Sequence, residues 1–368
     1  MQQAHLKAVL CFVVLLGLNR PGDAQGSTWQ VVHTRNQAIN CSECGMAAVD
    51  GKLYLLGGDD ASPRPVQRYD PATNAWTVLA MAPIPMHHFQ AVAWHRKIYV
   101  LDAFSGGQFP VQDNMPNVYS YDTRTNRWQK EGEVPAARRR AGAAAVEYHG
   151  KLYLVDGIQH GHSSGTTNMF DCYDPVSRQW TVLPDAPHIR DHCFAAVIGD
   201  RLYVVGGRNT SFRDPQNKIP FFAKTMLDVD VFDFATSRWS TLPARLPLGS
   251  GGGALVALNG VLYYMGGERA TDTEPNAPRK NVFSLDPLRG STWQELDSLR
   301  EARNGMCAAV IGHTIYAAGG SGGGAGRMPP PNPGGQPATG NPNPQPRPQL
   351  PSGPPRNQQP LVLEKLVL

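Results

Sequence analysis

The feature that most restricts the fold of this 368-residue sequence is a repeat that is out of phase with the ends of the chain. Each unit has a tyrosine in a short apolar run, and the six tyrosines are Tyr54, Tyr99, Tyr153, Tyr203, Tyr263 and Tyr316. A tryptophan follows each of the first five, and these are Trp76, Trp128, Trp180, Trp239 and Trp293. Trp29 has no tyrosine unit before it, and Tyr316 has no tryptophan after it. The two ends can therefore complete a sixth unit only if the chain closes into a ring.

The first unit predicts four short strands. An apolar run at Met46–Val49 is followed by an Asp-Gly pair, which is typical of a hairpin turn. Lys52–Leu56 is rich in β-forming residues, a third strand ends at Tyr69, and Trp76 begins a fourth. Because this plan recurs six times, the sequence predicts an all-β, six-bladed β-propeller, and no motif remains to build a seventh blade.

The linked motifs resemble the kelch repeat. They are the run that contains Tyr54 (KLYLLGG), the aromatic-Asp pair that ends the third strand, and the tryptophan after it. The tryptophans are 47 to 59 residues apart, which agrees with the kelch period of about 50, and the resemblance covers nearly all of residues 29–320. It implies a single kelch-type propeller over residues 25–368, in which strand 1 of each blade lines a central channel. The loops from strand 2 to strand 3 and from strand 4 to the next blade would then share one face.

The last blade is expected to take strands from both ends of the chain. Its first two strands come from Asn304–Ala318, and the Gly/Pro-rich insert that follows, residues 321–360, has a composition that favours disorder. The apolar octapeptide Leu361–Leu368 is expected to form the third strand, and the segment around Trp29 the fourth. Such closure leaves no long exposed sheet edge. The alternative is that the octapeptide anchors the chain to a membrane or a partner.

The first 24 residues have the pattern of a secretory signal peptide. Lys7 precedes an apolar stretch at Ala8–Leu18, and Gly22–Ala24 supplies a small-x-small cleavage site. That stretch is too short to span a bilayer, and no later segment approaches about 18 apolar residues, so we expect no membrane span. The net charge of +4 is too small to indicate nucleic-acid binding. We therefore expect a secreted or extracellular protein, or a periplasmic one in a Gram-negative bacterium.

Cleavage of the signal peptide would leave five cysteines, an odd number that forbids complete intramolecular pairing. Cys41 and Cys44 are candidates for a local disulfide in an oxidising compartment. The other three lie in strand patterns, where a thiol packs as a small apolar group. Asn40 and Asn209 are candidate glycosylation sites if the host is a eukaryote.

The resemblance also suggests where a ligand would bind. In similar kelch repeats an arginine often begins strand 1 and points toward the channel mouth, and alignment places Arg139, Arg190 and Arg303 at that position. The neighbouring polar residues expected on this rim are Glu43, His87, His88, Arg138, Arg140, Asp191, His192 and Asn304. Because guanidinium groups pair with carboxylates, such a rim is predicted to bind a carboxylate or an acidic peptide. The other interpretation is that the arginines brace neighbouring blades through backbone carbonyls.

Metal binding has weaker support in the sequence. His160 and His162 have a spacing that can ligate a metal, but no further ligand is identifiable from the sequence. We therefore expect no metal and no cofactor.

Three functional classes remain open at this stage. The first is an exported, monomeric binding scaffold that recognises a protein, peptide or glycan at the channel mouth, since no nucleophile motif or phosphate loop is visible. The second is a sugar epimerase, because the chain resembles exported kelch proteins of the N-acetylneuraminate epimerase class, and the rim histidines and acids could move protons. The third is a copper radical oxidase of the galactose or glyoxal oxidase type, although those propellers are larger and seven-bladed. Whether the protein is an enzyme is left undecided by the sequence.

Overall fold

A computed structural model describes residues 27–59, 61–212, 224–269, 277–322 and 360–368. The predicted signal peptide, and residues 323–359 of the predicted insert, lie outside these described residues. The described part of the chain forms six antiparallel blades and two small hairpins. The all-β propeller prediction is therefore confirmed.

The blades follow one another along the chain. Blade one contains β2 (Gly45–Val49), β3 (Lys52–Leu56), β4 (Pro65–Asp70) and β5 (Ala75–Met81). Blade two contains β6 (Val92–Trp94), β7 (Lys97–Val100), β10 (Asn117–Asp122) and β11 (Arg127–Glu133). Blade three contains β12 (Ala144–Tyr148), β13 (Lys151–Val155), β16 (Phe170–Asp174) and β17 (Gln179–Leu183). Blade four contains β18 (Phe194–Ile198), β19 (Arg201–Val205), β20 (Asp230–Asp233) and β21 (Arg238–Thr241). Blade five contains β22 (Gly251–Leu258), β23 (Val261–Arg269), β25 (Val282–Leu285) and β26 (Gln294–Glu295), with β24 (Ala277–Pro278) paired to β23.

Blade six joins the two ends of the described chain. It contains β27 (Arg303–Ile311), β28 (Thr314–Gly322), β29 (Leu363–Val367) and β1 (Gln30–Val31), in that order from the axis outward. Gln30 pairs with Lys365, and Ile315 pairs with Leu366. The first strand of every blade contacts the first strands of both neighbours, including β2 with β27, so the ring is closed. The predicted closure by the segment after Trp29 and by the final octapeptide is thus present in the structure.

The tryptophan of the repeat packs on the aromatic residue that ends the third strand. The ring centroids of Tyr69 and Trp76 are 5.3 Å apart, and those of Phe232 and Trp239 are 5.2 Å apart. Tyr69 also lies 6.1 Å from Tyr316, which belongs to blade six. The motif therefore links a blade to its neighbour as well as closing its own sheet.

Turns and close contacts explain the recurring glycines. Asp50 and Gly51 have φ values of 48° and 69°, as a two-residue hairpin turn of type I′ requires. Gly57 has a φ of 68°, and a Cβ there would lie 2.3 Å from the carbonyl oxygen of Met86 in the next blade's entry loop. The glycine pair after the tyrosine therefore lets adjacent blades approach each other.

The two small hairpins lie in the connections from strand 2 to strand 3. They are β8 (Phe104–Gln108) with β9 (Val111–Asn114) in blade two, and β14 (Ile158–His160) with β15 (Ser164–Thr166) in blade three. Among the described residues, no helix is long and apolar enough to cross a membrane.

Candidate functional site

Six residues with left-handed backbone, one from each blade, surround the mouth of the channel. They are Glu43, His88, Gly142, His192, Gly252 and Gly305, and we call them the rim ring. The N–H of Glu43 donates to the carbonyl of Gly305 at 2.7 Å, and the N–H of His88 donates to the carbonyl of Glu43 at 2.8 Å. The same bond joins each of the next three pairs around the ring, at 2.7 to 3.0 Å. Backbone hydrogen bonds therefore join five successive pairs of the rim ring and fix the backbone from which Glu43, His88 and His192 project.

Three residues of the rim ring are glycines, and the other three have ionisable side chains. Glu43, His88 and His192 have φ values of 56°, 60° and 54°, a conformation that costs a non-glycine residue roughly 1 kcal/mol or more. A Cβ at Gly305 would lie 2.5 Å from Oε1 of Glu43, and one at Gly142 would lie 3.3 Å from Nδ1 of His192. The glycines thus make room for the side chains of the other blades. Strain that is kept at such positions points to a functional use.

Three buried histidines meet above the rim ring. His88 and His192 belong to the ring, and the blade-three hairpin brings His162 to them, with the ligand nitrogens of all three within 4.8 Å of one another. Nε2 of His162 lies 3.2 Å from Nε2 of His192. The hairpin is held in place because the N–H of His162 donates to the carbonyl of Pro110 at 2.7 Å. We call these three residues the histidine cluster.

Oxygen acceptors orient two of the three imidazoles. Nδ1 of His192 lies 2.6 Å from Oδ1 of Asp191, and Nδ1 of His162 lies 3.1 Å from Oε1 of Gln112. A ring nitrogen that bonds an oxygen acceptor carries the hydrogen, so the opposite nitrogen of a neutral ring presents its lone pair. The lone pairs on Nε2 of His162 and His192 consequently face each other.

Burial favours the neutral form of these rings. Burial lowers the pKa of His88 and of His162 well below the usual value. Neighbouring histidines and Arg208 lower both pKa values further, although the charge of Asp191 opposes this effect at His162. The pKa of His192 is lowered by burial and by the Arg208 guanidinium, although the adjacent Asp191 opposes them. Neutral imidazole is the form that binds metals and exchanges protons near neutral pH.

His87 extends the cluster toward blade one. Its Nδ1 lies 2.5 Å from Nδ1 of His88, and burial lowers its pKa against the opposing charge of Asp59 at 3.9 Å. On the other side, Nε2 of His88 lies 3.6 Å from Oε2 of Glu43. The histidines are therefore flanked by carboxylates from blade one.

Asp191 is the buried anion of the site. Its carboxylate accepts hydrogen bonds from the hydroxyls of Thr166 and Thr210, at 2.7 and 2.6 Å. Burial raises its pKa, but the hydrogen bond from His192, the charge of Arg208 at 3.8 Å and the Thr210 hydroxyl outweigh that effect and leave the pKa at about 2. Asp191 is thus ionised at neutral pH and can only accept hydrogen bonds.

The structure corrects the predicted place of the arginines. The equivalent positions, two residues before the rim ring, hold Arg140, Arg190 and Arg303. Arg139, which the alignment selected, instead donates to the carbonyl of Val134 at 3.1 Å. Arg190 is fully buried, pairs with Asp230 at 2.5 Å and donates to the carbonyl of Gly206 at 3.2 Å. These guanidiniums are therefore enclosed by their own blades and do not reach the channel mouth.

The same brace recurs in three blades, each time with an acid from the third strand. The acids are Asp171 for Arg140, Asp230 for Arg190 and Glu364 for Arg303. In blade five, Ser250 stands where the arginine would be, and the hydroxyl of Tyr264 donates to its carbonyl at 2.7 Å. The geometry thus supports the interpretation that the arginines are structural braces. Their contacts lie mainly within one blade and do not mainly join neighbouring blades. Arg138 has a similar role, since it donates to Asp171 at 2.9 Å.

Several rim residues were missed by sequence reasoning. Asn304 was a predicted site residue, and its side-chain amide donates to Glu268 at 2.8 Å. Arg208 was not predicted, although it forms an ion pair with Glu268 at 2.7 Å. A usable signal was present, because the residue after each glycine pair is polar in blades one, four, five and six: Asp59, Arg208, Glu268 and Ser321. These positions lie beside the rim ring, so the glycine pair marks a second set of site residues.

The channel below the rim ring is lined by the first strands. It contains a cavity of about 320 Å³ that is lined mainly by residues with apolar side chains. Gln90 of blade two crosses this cavity to Ala195 of blade four. Its Nε2 donates to the carbonyl oxygen of Ala195 at 2.8 Å, and its Oε1 accepts from the N–H of Ala195 at 3.0 Å. A separate cavity of about 20 Å³ lies against Glu43, His88 and His192, large enough for one water molecule or ion.

Loops of blades two, three and four interlock on the face of the rim ring. The β8–β9 hairpin contacts the β14–β15 hairpin through Pro110 and His162. The β14–β15 hairpin in turn contacts blade four, because the N–H of Thr166 donates to Oγ of Ser211 at 2.8 Å. We call residues 104–114, 158–166 and 208–212 the loop platform.

The candidate disulfide pair, Cys41 and Cys44, is not bonded in the structure. Cys41 and Cys44 are both buried free thiols, and Sγ of Cys44 faces Cys307 of blade six at 3.7 Å. Hydrogen bonding to Cys44 and then burial raise the pKa of Cys41, and hydrogen bonding to Cys307 raises the pKa of Cys44.

The candidate glycosylation sites Asn40 and Asn209 are half-buried in the structure, and their use stays a prediction.

We expect the five thiols to differ sharply in reactivity. Cys172 is half-buried, whereas Cys41, Cys44, Cys193 and Cys307 are buried, and reaction with an alkylating reagent requires an accessible thiolate. Iodoacetamide at pH 8 should therefore label Cys172 first in the native protein and the other four only after unfolding. Peptide mass spectrometry measures the order, and native labelling of Cys41 or Cys44 as fast as Cys172 would contradict it.

Family comparisons agree with the repeat structure. Residues 103–320 match the KLHDC2/KLHL20/DRC7 kelch-repeats domain, and residues 40–80 match the kelch motif. The structure titled YjhT is similar with a TM-score of 0.65 and 17% identity, over 79% of this chain and 94% of that one. A likeness at this level of identity shows the fold alone.

Three curated relatives are similar over 44% to 76% of this chain, and each is longer than the matched part. Kelch-like protein terF of Aspergillus terreus is 27% identical over 293 residues, which is 76% of this chain and 60% of that protein. Kelch-like protein 25 of Xenopus tropicalis is 29% identical over 44% of this chain and 28% of its own length. Alpha-scruin of Limulus polyphemus is 25% identical over 70% of this chain and 28% of its own length. The chain thus spans between about a quarter and three fifths of these relatives.

Proposed function

The chain belongs to the kelch-repeat family, and we propose that it is an exported scaffold that binds a protein partner on the loop platform. The observation that carries this proposal is the exposure of apolar side chains on that platform. Phe109 is 48% exposed, Val111 is 66% exposed and Phe212 is 38% exposed. Aromatic side chains presented on loops are typical anchors of protein interfaces.

The order of the platform favours binding. Its three loops are fixed to one another by the backbone and hydroxyl bonds at Pro110, His162, Thr166 and Ser211. A surface that is already ordered loses less conformational entropy when a partner binds. Lys224 lies over the ring of Phe212 at 5.1 Å, so the blade-four side of the platform combines an aromatic group with a positive charge. That combination suits a partner segment with apolar and acidic residues.

The arrangement favours a protein over a small acidic sugar. Arg140, Arg190 and Arg303 are buried and paired, and the histidine cluster lies across the channel mouth. The proposed ligand therefore contacts exposed loops and does not enter the channel. Export is part of the proposal and rests on the signal-peptide pattern of residues 1–24.

The test compares two valines on opposite faces of the propeller. Val111→Asp places a charge on the loop platform, and Val176→Asp places the same charge on a 77% exposed valine in a strand 3–4 turn of blade three. We expect Val111→Asp to weaken binding of a captured partner by about tenfold or more, because a charge at an interface centre must be desolvated. Val176→Asp should leave the affinity unchanged.

The measurement begins with protein purified from the exported fraction, whose amino terminus we expect at Gln25 after cleavage. Partners are captured on the wild-type protein, identified by mass spectrometry and titrated against the two variants by biolayer interferometry. Equal affinities of the two variants would show that the platform is not the binding surface. An uncleaved chain retained in the cytoplasm would overturn the export part alone.

A further inference from the structure

The histidine cluster has a geometry that neither the fold nor the proposed binding function requires. We propose that His88, His162 and His192 form a binding site for a divalent transition-metal ion of the zinc and copper class. Imidazole nitrogens are preferred ligands for these ions. The three residues come from the entry loops of blades two and four and from a hairpin of blade three, so only the closed propeller assembles the site.

The distance between two of the ligands fits such an ion. Zinc–nitrogen bonds of about 2.0–2.1 Å at a tetrahedral angle place two ligand nitrogens roughly 3.4 Å apart. The Nε2 atoms of His162 and His192 are 3.2 Å apart. A hydrogen bond between them would need a hydrogen on one of the two nitrogens, but both neutral rings carry their hydrogen on the other side. A cation between the two lone pairs turns this repulsive contact into an attractive one.

The groups around the cluster are those that support a metal ligand. The Nδ1 hydrogen of His192 is directed at the carboxylate of Asp191, and that of His162 is directed at the amide oxygen of Gln112. Metal-binding histidines commonly donate their second ring hydrogen to a carboxylate or a carbonyl, which fixes the ring and raises its basicity. Asp191 is itself held by two threonine hydroxyls, so it is a positioning residue for the site.

The local charge is also suitable for a divalent cation. Arg208 is paired with Glu268, and Asp191 and Glu43 contribute two further carboxylates next to the cluster. The cavity of about 20 Å³ beside Glu43, His88 and His192 gives space for one ion. His88 and His192 have strained φ angles, and their ring centroids lie 4.8 and 5.1 Å from that of His162.

The experiment uses the whole exported protein after treatment with a chelator and dialysis. Zinc chloride is titrated by calorimetry, and Co²⁺ is added separately because a tetrahedral cobalt site has intense visible absorption. We expect one ion per chain, bound with a Kd of roughly 100 µM or tighter. Absence of one-to-one binding in this range overturns the proposal.

Two histidines of one hairpin provide a matched pair of variants. His162→Ala removes a ligand, whereas His160→Ala changes an exposed histidine two residues away. We expect His162→Ala to weaken zinc binding by about 100-fold or more and to abolish the cobalt spectrum, and His160→Ala to match the wild type. Asp191→Asn should weaken binding by about 10- to 100-fold through the orientation of His192. Equal binding by the His162 and His160 variants would place the ion elsewhere.

The proposal of the metal site and the proposal of the binding surface can be disproved independently of each other. Val111 and Phe212 contribute no metal ligand, so the Val111→Asp variant should bind zinc as the wild type does. Thermal unfolding in the chelator checks that His162→Ala remains folded, and zinc should raise the midpoint of wild type and of His160→Ala but not that of His162→Ala.

Discussion

Arg190→Ala is expected to destabilise the propeller by roughly 3–5 kcal/mol, because it leaves a buried carboxylate without its counter-charge. Arg190 is fully buried and pairs with Asp230 at 2.5 Å, and its Nε lies 3.5 Å from a carboxylate oxygen of Asp156 in the preceding blade. Removal of the guanidinium would also leave the carbonyl oxygens of Gly206 and Asp228 without their donor. A loss of this size is a large fraction of the free energy of unfolding of a typical domain.

The matched control for this prediction is Arg139→Ala. Arg139 is half-buried and donates to one carbonyl, so its removal should cost less than about 1 kcal/mol. Urea denaturation followed by circular dichroism compares the two variants with the wild type. If Arg190→Ala unfolds at the wild-type urea concentration yet no longer captures a partner, then Arg190 is a ligand-binding residue and the bracing role is incorrect.

The two arginines also show where sequence analysis reached its limit. Three consecutive arginines, 138–140, precede strand 1 of blade three, and the apolar run alone does not decide which of them points inward. The answer depends on a 3-10 turn at Ala136–Arg138 and on the partner acid Asp171, which lies in the third strand. Alignment on the left-handed residue, which is glycine in blades three, five and six, would have selected Arg140.

The fold was predictable for a different reason. Tyr69 and Trp76 contact each other within one blade, and the turn residues between strands are adjacent in sequence, so the information that defines a blade is local and is repeated six times. His162 is the opposite case. Its place above the axis depends on a backbone hydrogen bond to Pro110 in another blade. The sequence of a His-x-His pair in a loop does not predict that contact.

The second large effect concerns the closing strand of blade six. Removal of residues 361–368 is expected to prevent stable closure of the ring, because β28 loses its outer partner and β1 has nothing to pair with. Glu364 would also be lost, and with it the carboxylate that pairs with the buried Arg303 at 2.5 Å. We expect the truncated chain to aggregate or to be degraded, since an open blade exposes sheet edges and apolar surface.

Point variants of the same strand test its register without removing it. Leu366 is 1% exposed and packs in the cluster that contains Trp29, whereas Val367 is 52% exposed. Leu366→Ala should cost about 2–5 kcal/mol of unfolding free energy, and Val367→Ala should change it by about 0.5 kcal/mol or less. Urea denaturation of both variants gives the comparison, and equal losses would mean that the octapeptide does not occupy this strand position.

A peptide added in trans separates loss of the strand from general damage to the chain. If closure depends on pairing between β28, β29 and β1, a synthetic peptide of residues 361–368 present during refolding should restore soluble protein, because the added strand satisfies the backbone of both neighbours. The same peptide with Leu363→Asp and Leu366→Asp keeps the backbone but cannot fill the buried positions. Rescue by the first peptide and not by the second would tie the stability of the propeller to the side chains of its last strand, whereas full stability of the truncated chain without any peptide would show that the ring is held closed by other contacts.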